Sequence, residues 1–413
     1  MTPTRAVSET PAPGPDPEPP GGWAVVAACF TALAVIFGIA YAFAAFFEPL
    51  VQAFGAQRAE VSLVFGLTGL VYFVLGAFGG MLSDRFGPRT VTSAGMLLIV
   101  AALLAGSRAG SMAQMMLAYG LLLGLGIALV YTPAIGCVQP WFTRRRGLAA
   151  GLASAGIGAG TLAVPLLAAA AIARWDWRGA MLALAAFVAV VGLAATSQLR
   201  AAPAARRGGA AAVPGVPLRE ALASARFRWL YAMCLLGAPS MFVPFAHLSA
   251  AARDLGVAEA QAVGLVGLIG IGSLSGRFAV GLLADRWGRG PALVAVMASL
   301  GLSMGLWLLA PGWGALAVFA LWMGLSYGGS VSLMPALCMD YFGARSLGAI
   351  IGTLYTGAAL GNLAGPWAAG RVFDASGSYA PVIAACGLLS AAATLAAWRA
   401  TRAGAAGTAA AAG

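Results

Sequence analysis

Long apolar stretches alternate with short polar breaks along the whole chain. Several apolar runs, 23–47 and 61–82 among them, reach twenty residues or more, the length a helix needs to cross the hydrocarbon of a bilayer. The pattern predicts spans near 23–47, 61–82, 91–107, 111–133, 147–173 and 178–199. A polar stretch rich in Pro, Gly and Arg follows at 200–227. Six further spans are predicted near 228–251, 261–284, 291–310, 313–336, 346–370 and 379–399. The expectation is an all-α membrane protein with twelve transmembrane helices. The polar stretch would be a linker between an N-terminal set (23–199) and a C-terminal set (228–402). The proline-rich residues 1–22 and the Ala/Gly stretch 403–413 read as unstructured tails. Residues 1–22 lack the basic start and apolar centre of a signal peptide.

Composition agrees with this reading. Hydrophobic residues make up 61% of the chain and charged residues 9%, against about 25% charged in soluble domains. Too few charges remain to build a water-facing surface. The 57 glycines suit helices that pack closely through small residues. The net charge of +11 raises a nucleic-acid reading, but the 24 basic residues, all arginine, recur between apolar runs and do not gather on one soluble face. With the N-terminus inside, 17 arginines fall on the cytoplasmic side and six on the other, which puts both termini in the cytoplasm. The five cysteines are scattered with no C-x-x-C pair, so no zinc site, disulfide framework or cofactor is expected.

The two halves repeat. Gly80-Met-Leu-Ser-Asp84-Arg85-Phe-Gly87-Pro-Arg89 returns as Gly281-Leu-Leu-Ala-Asp285-Arg286-Trp-Gly288-Arg289, and Trp141-Phe142 returns as Tyr341-Phe342. Parallel six-span repeats imply two bundles with a cavity between them and alternating access by rocking of one bundle against the other. In the repeated loop the glycines permit a tight turn. Asp84, Arg85, Arg89, Asp285 and Arg286 are read as a conformational latch.

This G-x-L-x-D-R-x-G-x-R loop resembles the signature of the major facilitator superfamily between its second and third spans. Other segments resemble the monocarboxylate porter family within it: Gly21-Gly22-Trp23, Tyr41-Ala42-Phe43, the stretch from Trp141-Phe142 through Arg146 to Gly156, and that from Gly365-Pro366 through Asp374 to Tyr379. Animal members carry a lysine where this chain has Ala45 and an aspartate where it has Ser273, so their proton relay does not carry over. The resemblance is nearer to the bacterial branch with its lactate and oxalate/formate porters, and implies a bacterial inner-membrane protein. The oxalate/formate antiporter pairs the arginine of its eighth span with a lysine in the eleventh; here polar Asn362 lies in that region.

The candidate site centres on Arg277, the one arginine inside a span, about 12 Å of helical rise before Asp285. A guanidinium at that depth costs roughly 2.5–3.5 kcal/mol to insert, so it should face the cavity and bind a partner. With no carboxylate inside the spans, a substrate carboxylate is the natural one. Tyr131, Tyr327, Asn362, Tyr41 and Tyr355 occur near mid-membrane as hydrogen-bonding candidates. His247, the single histidine, is the candidate proton carrier; the alternative is the substrate itself. The reading is a secondary transporter of a small organic anion, foremost a proton-coupled monocarboxylate of the lactate or pyruvate kind. A dicarboxylate or oxalate/formate-type exchanger is the second reading, and a drug exporter the third. An enzyme is excluded by the lack of a nucleophile or metal set. The expected partners are the acid, protons and the bilayer, with the protein acting as a monomer.

Overall fold

The computed structural model describes residues 21–142, 145–202, 215–343 and 345–403. Nearly all of both tails, the middle of the linker and Arg144 lie outside the described residues. The described chain is helical apart from turns and a single bridge between Gly215 and Gly343.

Eleven helices have the length and hydropathy to cross a membrane. The first four are α1 (Gly22–Phe54), α2 (Arg58–Phe86), α3 (Pro88–Ser107) and α4 (Met112–Val138). The next run, Leu148–Ser197, has 50 residues, about 75 Å of helix against a hydrocarbon core of about 30 Å. It breaks at Asp176, whose φ of 65° no helix tolerates, and so makes two crossings, α5 (148–175) and α6 (177–197). The Asp176 carboxylate accepts the Gly179 N–H at 2.9 Å and caps the second arm. The others are α7 (Ala225–Asp254), α8 (Glu259–Trp287), α9 (Arg289–Leu308), α10 (Trp313–Phe342), α11 (Leu347–Ser376) and α12 (Ala380–Arg402). The total is the twelve crossings expected.

Two boundaries differ from the hydropathy reading. Helix α1 runs past Glu48 to Phe54 because its last turns are amphipathic, and it stops at Gly55 in the left-handed conformation. The linker carries a short helix, Leu218–Ala223, and α7 starts at Ala225, capped by the Ser224 hydroxyl.

The sequence repeat is also a repeat of geometry. Gly87, between α2 and α3, has φ 86° and ψ 150°; Gly288, between α8 and α9, has φ 85° and ψ 152°. A side chain would be strained at either turn, which accounts for the glycine in both copies.

Helices α1–α6 and α7–α12 form two bundles that meet along α2–α11, α5–α8 and α1–α7. Small residues allow the close crossings. In the C-terminal bundle a Cβ on Gly276 would overlap the Leu325 carbonyl and one on Gly328 would overlap the Ser273 carbonyl. This seam holds α8 against α10 and fixes the position of Arg277. Across the bundles, a Cβ on Gly158 of α5 would lie 2.8 Å from the Gly270 carbonyl of α8.

The two faces of the molecule differ. On the face away from the termini, Arg58 at the start of α2 grips Asp254 at the end of α7 through both guanidinium arms, at 2.6 and 2.8 Å. Asp374 of α11 accepts the backbone N–H groups of Arg58 and Ala59, at 3.1 and 2.9 Å, and so caps α2 from the other bundle. Arg253 reaches Glu48 at 4.0 Å. On the face of the termini, no ion pair crosses between the bundles among the described residues; the pair there, Arg289 with Asp340 at 2.5 Å, lies within the C-terminal bundle. The structure is therefore locked on the far face.

Candidate functional site

Arg277 lies on α8 with its side chain buried, at 7% exposure. Its Nε and Nη2 are buried and hydrogen-bond to no described residue. Ser273, one turn earlier on α8, is buried too, and its Oγ is likewise without a bond. A serine at that turn leaves the guanidinium with no counter-ion on its own helix. Desolvating a cation without a partner costs several kcal/mol, so the arrangement strongly favours an anion that can bridge the free N–H groups.

Four phenols lie within electrostatic reach of this charge: Tyr327, Tyr131, Tyr41 and Tyr355. Tyr41 of α1 and Tyr327 of α10 share a hydrogen bond of 2.8 Å that joins the two bundles, and the Tyr41 ring stacks on Phe245 at 4.0 Å. Beneath this bridge a cavity opens between the bundles. It encloses about 690 Å³ of empty space counted to its mouth, of which about 70 Å³ admits the centre of a water molecule. Tyr131, Tyr327 and Tyr355 are in its wall, and Arg277, within electrostatic reach of all three, does not itself line the hollow. Five of the residues singled out in the sequence thus surround one place.

The other two lie elsewhere. Asn362 of α11 donates to the Gly66 carbonyl of α2 at 3.3 Å and packs against Gly69, at the seam between the bundles and not in the cavity wall. His247 of α7 belongs to the lock on the far face. Its Nε2 meets the Pro366 carbonyl at 2.8 Å and the Ser62 hydroxyl at 3.0 Å, and its Nδ1 meets the Tyr379 hydroxyl at 3.0 Å. A carbonyl only accepts, so Nε2 carries hydrogen; Nδ1 then accepts from Tyr379 in the neutral ring. The Tyr379 oxygen in turn accepts from Arg58 at 2.9 Å. Burial raises the Tyr379 hydroxyl above the ordinary phenol range, against the pull of Arg58, so it stays protonated and able to donate. Among the latch residues, Asp84, Arg85, Arg89, Asp285 and Arg286 sit at the two matching turns, and none of them joins an ion pair across the bundles among the described residues.

Sequence reading missed Tyr379, Ser62 and Pro366 as partners of His247, and Arg58 and Asp254, which continue the network from Tyr379. It also missed the Phe37, Tyr72, Phe73 and Phe242 rings of the cavity wall.

The Major Facilitator Superfamily model matches residues 28–366, and again 240–412. Monocarboxylate transporter 13 of Rattus norvegicus is 31% identical over 369 residues, covering 88% of this chain and 85% of that protein. The chain belongs to the monocarboxylate porter family of the major facilitator superfamily. Monocarboxylate transporter 11 of Homo sapiens is 30% identical, with 91% of this chain and 82% of its own covered. Among solved structures, a bacterial homolog of the human lysosomal transporter Spinster, inward-facing and unoccupied, superposes with a TM-score of 0.72 at 17% identity, over 93% of this chain and 98% of that one. That likeness supports the fold alone.

Proposed function

We propose that this porter carries an organic monocarboxylate together with a proton, by alternating access between two faces of a membrane. The observation that carries the reading is the buried Arg277 guanidinium with Nε and Nη2 free, beside a cavity between the bundles. A carboxylate accepts two parallel N–H bonds from such a fork. The relatives named as monocarboxylate transporters point to the same substrate class. A dicarboxylate exchanger would call for a second cation, and among the described residues Arg277 is the one buried arginine.

The arginine distribution supports cytoplasmic termini, and Ala45 and Ser273, where animal members carry lysine and aspartate, support a place in the bacterial branch and its inner membrane. The conformer described here would then be open toward the cytoplasm. In the opposite state the lock must part: Arg58 and Ser62 move with the N-terminal bundle, while His247, Tyr379, Asp254 and Asp374 stay with the other. His247 would lose Ser62 and meet water from outside, which makes it the group to take up the proton; in the closed lock its bonding suits the neutral ring. Asp84 and Asp285 would take partners on the cytoplasmic face once that face closes.

The test is uptake of a labelled monocarboxylate by proteoliposomes. Arg277→Ala and Arg277→Lys should both reduce uptake at least tenfold while still inserting and migrating as the wild type, because lysine keeps the charge and loses the planar fork. Wild-type uptake by Arg277→Ala would remove the arginine from the site.

A further inference from the structure

The cavity wall says more about the carried acid than Arg277 does. Of the sixteen side chains that line it, seven are aromatic and four are methionines. The rings make a linked belt drawn from both bundles. Phe37 meets Tyr131 edge-on at 5.2 Å and Tyr72 at 5.9 Å. Tyr72 contacts Phe73 at 4.3 Å, and Phe73 presents itself to Phe242 at 5.8 Å and to Tyr355 at 5.6 Å. Phe242 reaches Tyr327 at 6.3 Å, at the Tyr41 bridge. The methionines Met233, Met241, Met297 and Met334 all come from the C-terminal bundle.

Three physical points follow. Three of the four phenols in the wall, Tyr131, Tyr327 and Tyr355, lie within electrostatic reach of Arg277, so a bound acid meets polarity mainly toward that charge and carbon and sulfur over much of the rest. Only about 70 of the 690 Å³ admits a water centre, so the space is narrow and a bound acid lies in close contact with the rings of the wall. Ring edges and methionine sulfurs are the surfaces that aromatic groups pack on, with edge-to-face and sulfur–ring contacts each worth more than their area alone. A small hydroxy acid such as lactate would leave most of this wall either bare or facing water that has no partner there.

We infer that the carried monocarboxylate bears an aryl group, its carboxylate toward Arg277 and its ring in the belt of Phe37, Tyr72, Phe73 and Phe242. This rests on the monocarboxylate reading and narrows it to a substrate class.

The experiment is competition for uptake in proteoliposomes of the full chain. Benzoate, phenylpyruvate and trans-cinnamate are set against acetate, pyruvate and lactate, each as the unlabelled competitor of labelled benzoate and, separately, of labelled pyruvate. The expected result is half-inhibition by the aryl acids at concentrations at least tenfold below those of the aliphatic acids. Phe73→Leu, which stays apolar and loses the ring, should shrink that ratio severalfold; Phe242→Leu provides a second variant should the first fail to fold. Equal or better competition by pyruvate and lactate, with uptake still dependent on Arg277, overturns the aryl assignment and leaves the monocarboxylate reading standing. Uptake that neither class inhibits and that survives Arg277→Ala overturns both.

Discussion

Arg277 and His247 show how differently two single residues speak in a sequence. A guanidinium inside an apolar run is conspicuous because insertion makes it costly, and the structure leaves it buried with two free donors. The tyrosines around it were legible for the same reason, each being a hydroxyl at membrane depth. Arg58, Asp254 and Tyr379 were not. They occupy the ends of helices, where charge and hydroxyl are ordinary, and only the folded chain brings them to one place. The same holds for the phenylalanines of the cavity, which in sequence look like any lipid-facing or packing ring. His247 was visible as the lone histidine, but its place in the lock was not. If it carries the proton, His247→Gln should abolish accumulation of the acid against a set pH gradient while acid-for-acid exchange continues near the wild-type rate, since exchange releases no proton. Full accumulation by the variant would transfer the proton to the substrate complex.

At the scale of helices, hydropathy located the crossings because each is a continuous apolar run. It could not foresee that α5 and α6 form one 50-residue run broken only at Asp176, since an aspartate between two tryptophans carries no turn signal as strong as glycine or proline. The short helix Leu218–Ala223 escaped notice because one and a half turns leave no periodicity to read. Helices α2 and α11 run antiparallel across the bundles, with Gly370 against Ala59 at one end and Gly352 near Ala77 at the other. Arg58 and Asp374 fasten only the far end of this pair. Arg58→Gln puts a shorter, neutral side chain in place of the guanidinium and removes the two-armed grip on Asp254, so it should shift the population toward opening of that face. Spin labels at Gln52→Cys and Ala258→Cys, in a background without the native cysteines, would report the shift as a longer distance component absent from the parent. An unchanged distance distribution would mean that Arg58 does not hold the lock.

Over the whole molecule, two six-helix bundles enclose a narrow aromatic chamber, with a lone cation beside it and a lock of ion pairs over one face. The repeat that built the bundles was readable from the Asp84 and Asp285 loops, whose glycines adopt the same turn. Which face is closed was not readable, because both conformers must be encoded by one sequence and differ only in which contacts are made. The claim on which the account depends is that an acid binds at Arg277, and equilibrium binding tests it without relying on rates or coupling. Titration of labelled benzoate into purified protein should saturate at one acid per chain for the wild type. Arg277→Lys should bind at least tenfold more weakly and Arg277→Ala should not bind measurably, while both melt cooperatively. Saturable binding to Arg277→Ala with the wild-type affinity would contradict it.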